Sequence, residues 1–179
     1  MPSTGFFVAN STQAFSFYTE WNNPNSMTRC NTVYANGDYA EFEALGFRTD
    51  ADGNIPNGST LDGVEMEVTG KRNSGSPLIF HWLSRDGINL SSTSFNYTWS
   101  STTPSTQTFG SSTNKWGIDI TFGTGGVLYA IIGNFANPST ADYDCIRLNI
   151  HYSLPPVDPT QYTFKSGNYE FKSGNTIYK

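Results

Sequence analysis

Charge is scarce in this sequence: only 14% of its 179 residues are Asp, Glu, Lys or Arg. Coiled coils and helical bundles, built largely from Ala, Glu, Lys and Leu, do not have such a composition. Cations are the scarcest of all. Lys71-Arg72 is the sole adjacent basic pair and the formal net charge is −5. The cationic patch that displaces counterions from a phosphate backbone is therefore missing, and no nucleic-acid partner is expected. No segment approaches the roughly 20 consecutive apolar residues of a membrane span. The opening Met-Pro-Ser-Thr-Gly-Phe-Phe-Val has neither a basic stretch nor a long apolar run, so it does not read as a secretory signal. A soluble protein without membrane contact is expected.

Residues that carry chemistry are equally few. The two cysteines, Cys30 and Cys145, and the two histidines, His81 and His151, show none of the close spacing of a zinc site. A Cys30–Cys145 bridge would close a long loop and add about 3–5 kcal/mol; the other reading is two free, buried thiols. No glycine-rich phosphate loop is present. Asn73-Ser74-Gly75-Ser76-Pro77 has the look of a protease nucleophile turn, but both histidines follow Ser74, which is the wrong chain order for trypsin-like enzymes. Both histidines fall within strand-like runs and read as packing or ladder residues. No enzyme and no cofactor are expected.

What the chain does have is aromatic residues, 15% of the total, with abundant Gly, Ser, Thr and Asn. Aromatics at that level argue against disorder, and the polar remainder suits short strands joined by turns. A chain of this length can bury roughly 70% of its unfolded surface as one domain, with no need of metal or disulfide.

The organising stretch is Ile55–Val68. Pro56-Asn57-Gly58 supplies a turn. Val64, Met66 and Val68 then alternate with Glu65 and Glu67, the period of a strand with one buried and one wet face. Similar runs are Tyr39–Phe47, Leu78–Ser84 (the length of a strand buried on both faces), Phe95-Tyr97-Trp99, Trp116–Phe122, Val127–Gly133 and Tyr143–Tyr152. Asn36-Gly37, Asp86-Gly87 and Gly123–Gly126 punctuate them as turns, and in the Ser/Thr tract Ser91–Ser112 the aromatic-faced strand is followed by a loop at Pro104. Phe6–Phe17 reads as a first strand or packing arm. With no helical stripe, the fold class is all-β: an antiparallel β-sandwich, jelly-roll-like. Its predicted divisions are an N-terminal strand or arm (1–17), the sandwich (18–153), and a Pro-rich linker with a C-terminal arm (154–179). That arm repeats Phe-Lys-Ser-Gly-Asn at residues 164–168 and 171–175. Too short to bury itself, it frays or pairs with something else, such as a neighbour's sheet edge; an engineered scar or a disordered tail would look similar.

Several phrases, in order, resemble a β-sandwich domain of tailed-bacteriophage virion and tail-associated proteins. They are Trp21-Asn-Asn-Pro-Asn, Asn36-Gly-Asp-Tyr-Ala40, Gly46-Phe47, Ile55-Pro-Asn-Gly-Ser-Thr-Leu-Asp-Gly-Val-Glu65, Phe109-Gly110, Lys115-Trp-Gly117 and Asp142-Tyr-Asp-Cys-Ile-Arg-Leu-Asn-Ile-His-Tyr152. Together they span about residues 18–153. The resemblance implies a jelly-roll-like sandwich with a structural place in a virion, and it brings no catalytic residues. The loop between Gly110 and Trp116, and Gly123–Gly126, are shorter here than in that family. Physically the phrases look architectural: Trp21 and Trp116 as packing residues whose indole N–H groups need partners, Gly63 and Gly117 as sites of bulges or close backbone approach.

Three candidate sites follow from the residues. Asp50, Asp52 and Asn54 have the Asp-x-Asp-x-Asn start of a calcium loop but lack the later glycine and glutamate of an EF-hand; turn chemistry explains them equally well, so calcium is a weak candidate. Tyr18, Tyr97 and Trp99 would stack on sugar rings if exposed, although alternating aromatics are more often core; Glu65 and Glu67 share a strand face, as a glycosidase pair would, although exposed strand charge is far commoner. In the arm, Tyr162, Phe164, Tyr169, Phe171, Ile177 and Tyr178 are the candidate partner-binding residues. The four Asn-x-Ser/Thr triplets (Asn10, Asn57, Asn89, Asn96) are no more than this composition produces by chance. The expected function is that of a non-enzymatic virion structural protein, foremost a capsid decoration or cement protein, which meets a major capsid or tail protein as a homo-oligomer or symmetric array. The alternative is a tail fibre or baseplate module that binds a host receptor or glycan.

Overall fold

Strands β5 and β10 form the spine of the molecule. β5 (Thr60–Ser74) and β10 (Thr140–Ser153) pair antiparallel along almost their whole length, with Val64 opposite Ile150, Met66 opposite Leu148 and Val68 opposite Ile146. Val64, Met66, Val68 and Leu148 are fully buried, each worth about 1.5–3 kcal/mol in apolar burial. Glu65 and Glu67 lie on the other face, as the alternation predicts.

The computed structural model describes residues 1–8, 11–14, 28–30, 42–50, 53–134, 139–156, 163–166 and 169–172. Within them are β1 (Phe7–Val8), β2 (Ser11–Ala14), β3 (Thr28–Cys30), β4 (Phe42–Arg48), β6 (Leu78–Ser84), β7 (Phe95–Thr98), β8 (Ser105–Ser111), β9 (Val127–Asn134), β11 (Thr163–Ser166) and β12 (Tyr169–Lys172), and no helix. One sheet runs β1-β10-β5-β8, with β3 also on β10; the other runs β2-β4-β9-β6-β7.

This order is a jelly roll. β6 and β7 form the tip of a long hairpin, and β5·β8, β4·β9 and β3·β10 are its successive rungs. Rolling that ribbon up creates the two remaining contacts, β5·β10 and β6·β9. The roll forms because each long strand carries one apolar face, and those faces bury only against each other.

Aromatic rings fill the space between the sheets. His81 stacks on Phe109 (4.3 Å between centroids), Phe95 meets Trp116 edge-on (4.7 Å), and Trp99 packs edge-on against Tyr97 and Tyr143. Phe80 stacks on Trp82 (5.5 Å), and the pair packs with Ile131 and Tyr129 as a second, smaller cluster on the outer face of β6 and β9. Leu78–Ser84 is thus apolar on both faces, as its length and composition predict.

Glycine acts where the sequence marks it. At Gly63 a Cβ would collide with the Ser112 carbonyl. The β5–β10 register also slips there, with His151 opposite Gly63 and Tyr152 opposite Leu61, so Asp62 is the extra residue of a bulge. Two predicted elements differ from the structure. Residues 116–122 form no strand, since Trp116 and Gly117 both take positive φ (57° and 75°) and turn the chain; only an isolated bridge, Thr60 to Thr121, remains. Conversely the Ser/Thr-rich segment 105–111, for which the sequence predicts no strand, is strand β8, because β5 offers it a ladder that propensity alone does not reveal. The Asn36-Gly37 turn and Trp21 lie outside the described residues.

β3 places Cys30 opposite Ala141, four residues from Cys145 along β10. At about 3.3 Å per residue their Cα atoms are about 13 Å apart, beyond the reach of a disulfide. This register favours the reading without a bridge.

Candidate functional site

The outer face of the β5–β10 ladder carries a cluster of ionisable side chains. Register puts Glu67 opposite Arg147 and Glu65 opposite Asn149. Glu67 Oε1 accepts from Arg147 Nε at 2.9 Å and also from Nη2. The same guanidinium lies over the Phe6 ring, 5.4 Å from its centroid. Glu65 Oε2 accepts from Asn149 Nδ2 at 2.7 Å and stands 3.1 Å from His151 Nε2. Further along, Lys71 Nζ is 4.0 Å from Asp142, and the hydroxyls of Thr69 and Thr106 bond across the strands. Glu65 and Glu67 share this face as expected, and each is engaged in a cross-strand contact that ties β5 to β10. The chain's first residues extend the same face: Thr4 N–H donates to the Ile150 carbonyl and Thr4 Oγ1 accepts from Ile150 N–H, so the N-terminal segment edges β10.

His81 is wholly buried between the sheets. Its Nδ1 is 3.3 Å from the Phe95 carbonyl, and among the described residues its Nε2 has no hydrogen-bond partner. Burial pushes its pKa down to about 4, against a small upward pull from the Phe95 carbonyl. It is a neutral packing histidine, while His151 is a ladder residue.

The loop after β6 is organised by one carboxylate. Asp86 accepts from the backbone N–H groups of Ile88 and Asn89, from Asn89 Nδ2 and from Ser84 Oγ. These bonds, the Asn89 N–H foremost, hold its carboxyl well below the usual range. The loop presents Ile88 (73% exposed) and Leu90 (41% exposed) to solvent. Asp86-Gly87 reads as a turn from sequence; that Asp86 braces a loop with two bare aliphatics does not, although the Ser84-x-Asp86-x-x-Asn89 spacing carried the signal.

At Asp50, Oδ2 accepts from Gly125 N–H at 2.7 Å, and Thr49 bonds Gly126 through both its backbone N–H and its hydroxyl. Asn54 is an exposed residue at φ 51°, and Asp52 lies outside the described residues. Among the described residues no group of three His, Cys, Asp or Glu side chains is placed to hold a metal ion. Asp50 and Thr49 thus tie this turn to Gly125 and Gly126.

Two of the three sugar-stacking candidates fall among the described residues. Trp99 is 1% exposed and Tyr97 packs against the core; Tyr18 lies outside the described residues. In the arm, β11 and β12 pair with each other as a separate two-stranded sheet, with Phe164 opposite Phe171 and Tyr169 opposite Ser166. Tyr162, Ile177 and Tyr178 lie outside the described residues.

No protein-family model matches the chain, and no curated protein sequence matches it. Among solved structures it is similar to the CBM36-1 domain of a multidomain xylanase from the hindgut metagenome of Trinervitermes trinervoides, with 12% identity over 70% of this chain and 94% of that one, at a TM-score of 0.34. A carbohydrate-binding module CBM36 in complex with calcium and xylotriose matches with 15% identity over 72% of this chain and 99% of the module, at 0.32. The Cowpea mosaic virus top component, a naturally occurring empty particle, matches with 10% identity over 72% of this chain and 84% of the viral chain, at 0.31. Likenesses this distant assign neither ligand nor role; the architecture rests on the strand order itself, and this chain is an all-β, jelly-roll sandwich.

Proposed function

We propose that this chain is a non-enzymatic structural protein of a tailed-bacteriophage virion, a capsid decoration or cement protein that strengthens the particle through repeated subunit contacts. The observation that supports docking is the C-terminal hairpin. Among the described residues β11 and β12 pair only with each other, and an isolated two-stranded hairpin is marginal in water, so it gains stability by meeting a partner. The braced loop with exposed Ile88 and Leu90 offers a second apolar contact. The phrases shared with phage sandwich domains supply the virion context. Many weak contacts of this kind, multiplied by symmetry, hold a shell together.

Mass spectrometry of purified heads against purified tails tests the reading. The protein is expected in heads, in fixed ratio to the major capsid protein. Recovery only in tail fractions, with binding to host glycans, would overturn it in favour of a fibre or baseplate module. Deleting residues 160–179 should leave a folded monomer that no longer occupies particles; unchanged occupancy would remove the arm from the account.

A further inference from the structure

We infer that the open edge of β8 is the acceptor for the β11–β12 hairpin of a second copy of this chain. The inference rests on the reading that the arm docks, and it names the strand on which it docks.

β8 ends its sheet, hydrogen-bonded to β5 on one side, and no described strand lies on the other. The ladder's parity shows which groups are free. Val64 N–H donates to the Asn114 carbonyl and Arg72 N–H to the Ser101 carbonyl, both on the β8 side, so between residues 64 and 72 the even-numbered residues of β5 direct their backbone towards β8. Thr106 and Thr108 stand opposite the odd-numbered Thr69 and Glu67. Their own N–H and C=O groups therefore point away from β5, in the pattern that an added strand completes.

Edge strands are ordinarily protected by charge, proline or shortness. β8 reads Ser-Thr-Gln-Thr-Phe-Gly-Ser, seven residues with no charge and no proline. The edges of the other sheet, β2 and β7, are four residues each. The hairpin's strands are also four residues each and fit within β8.

Charge matches as well. Residues 154–179 hold Lys165, Lys172 and Lys179 against Asp158 and Glu170, a net of +1, which leaves −6 on residues 1–153 of the −5 total. Among the described residues of one chain the hairpin forms its own sheet and the outer edge of β8 has no strand against it, so the proposed contact is made in trans. It is heterologous, donor arm to acceptor edge, and such contacts propagate into rings or arrays.

The full chain is tested by sedimentation velocity over a concentration series, beside Thr108→Pro, which removes an outward N–H and fixes φ, and Thr108→Lys, which leaves the backbone intact. Both should remain folded by circular dichroism and associate at least ten-fold more weakly. A photo-crosslinking residue at Thr106, in a mixture of isotopically light and heavy chains, should capture peptide 163–172 of the opposite label. A monomer at every concentration, capture only within one chain, or association of Thr108→Lys unchanged would overturn the inference. Occupancy on heads is scored separately: a chain that occupies heads through its arm but never self-associates sinks the β8 acceptor and spares the decoration role.

Discussion

The indole N–H of Trp116 donates to the backbone carbonyl of Val64 at 2.9 Å, inside the core. Val64 belongs to the central strand and Trp116 to the turn after β8, which takes positive φ at Trp116 and Gly117. The bond has room because Gly110, at φ 81°, lies against both partners; a Cβ there would collide with the Val64 carbonyl and the indole. Trp116 N–H is itself held by Asn114 Oδ1 at 2.8 Å. A buried hydrogen bond thus offsets an uncommon backbone conformation for a bulky residue.

Trp116→Phe should lower stability by about 2–4 kcal/mol, through lost packing and an unpaired buried carbonyl. Gly110→Ala should cost about 3 kcal/mol, because an L side chain meets both strain and collision. Guanidinium denaturation measures each. The double variant should lose less than the two costs added, since both disturb one contact; strict additivity would refute the coupling.

Stability should fall with acid through His81. The unfolded imidazole takes up a proton below about 6.5, whereas the buried one resists until about 4. The stabilisation is complete above about 6.5, is lost as pH falls through that window, and changes no further once both states are protonated. At about 1.4 kcal/mol per pH unit the loss is roughly 3 kcal/mol. His81→Leu should flatten this part of the stability profile; an unaltered slope between pH 6.5 and 4 would show that other groups produce it.

Asp86→Ala should leave the global transition nearly unchanged and loosen one loop. Amide exchange at Ile88 and Asn89 should accelerate, because their N–H groups lose the acceptor that holds them. If the loop is the second docking element, Ile88→Asp should reduce occupancy on particles without lowering the melting temperature.

Arg147→Ala removes the Glu67 ion pair and the contact over Phe6 together. The side chain is 42% exposed, so solvent screening limits the cost to about 1 kcal/mol. The informative readout is local: exchange at residues 4–8 should quicken as the N-terminal edge strand loses its clasp. Unchanged exchange there would show that backbone pairing with β10 suffices.

Alternation of Val64, Met66 and Val68 with two glutamates is a local property, and it alone assigned the buried and wet faces of the central strand. In the same way Ile146, Leu148 and Ile150 declared their side of β10, and Asp86-Gly87 declared a turn. Other features depended on partners far along the chain. β8 is polar enough to pass for loop until β5 lies beside it, and residues 116–122 alternate like a strand until the Trp116–Val64 bond turns them aside. Glu67 meets Arg147 across 80 positions, a contact that no window of sequence contains. His81 loses its basicity only because two sheets close over it. Periodicity is set by the geometry of a single strand, which the residue order carries. Register, edge exposure and burial are set by which strands meet, and only the rolled ribbon decides that.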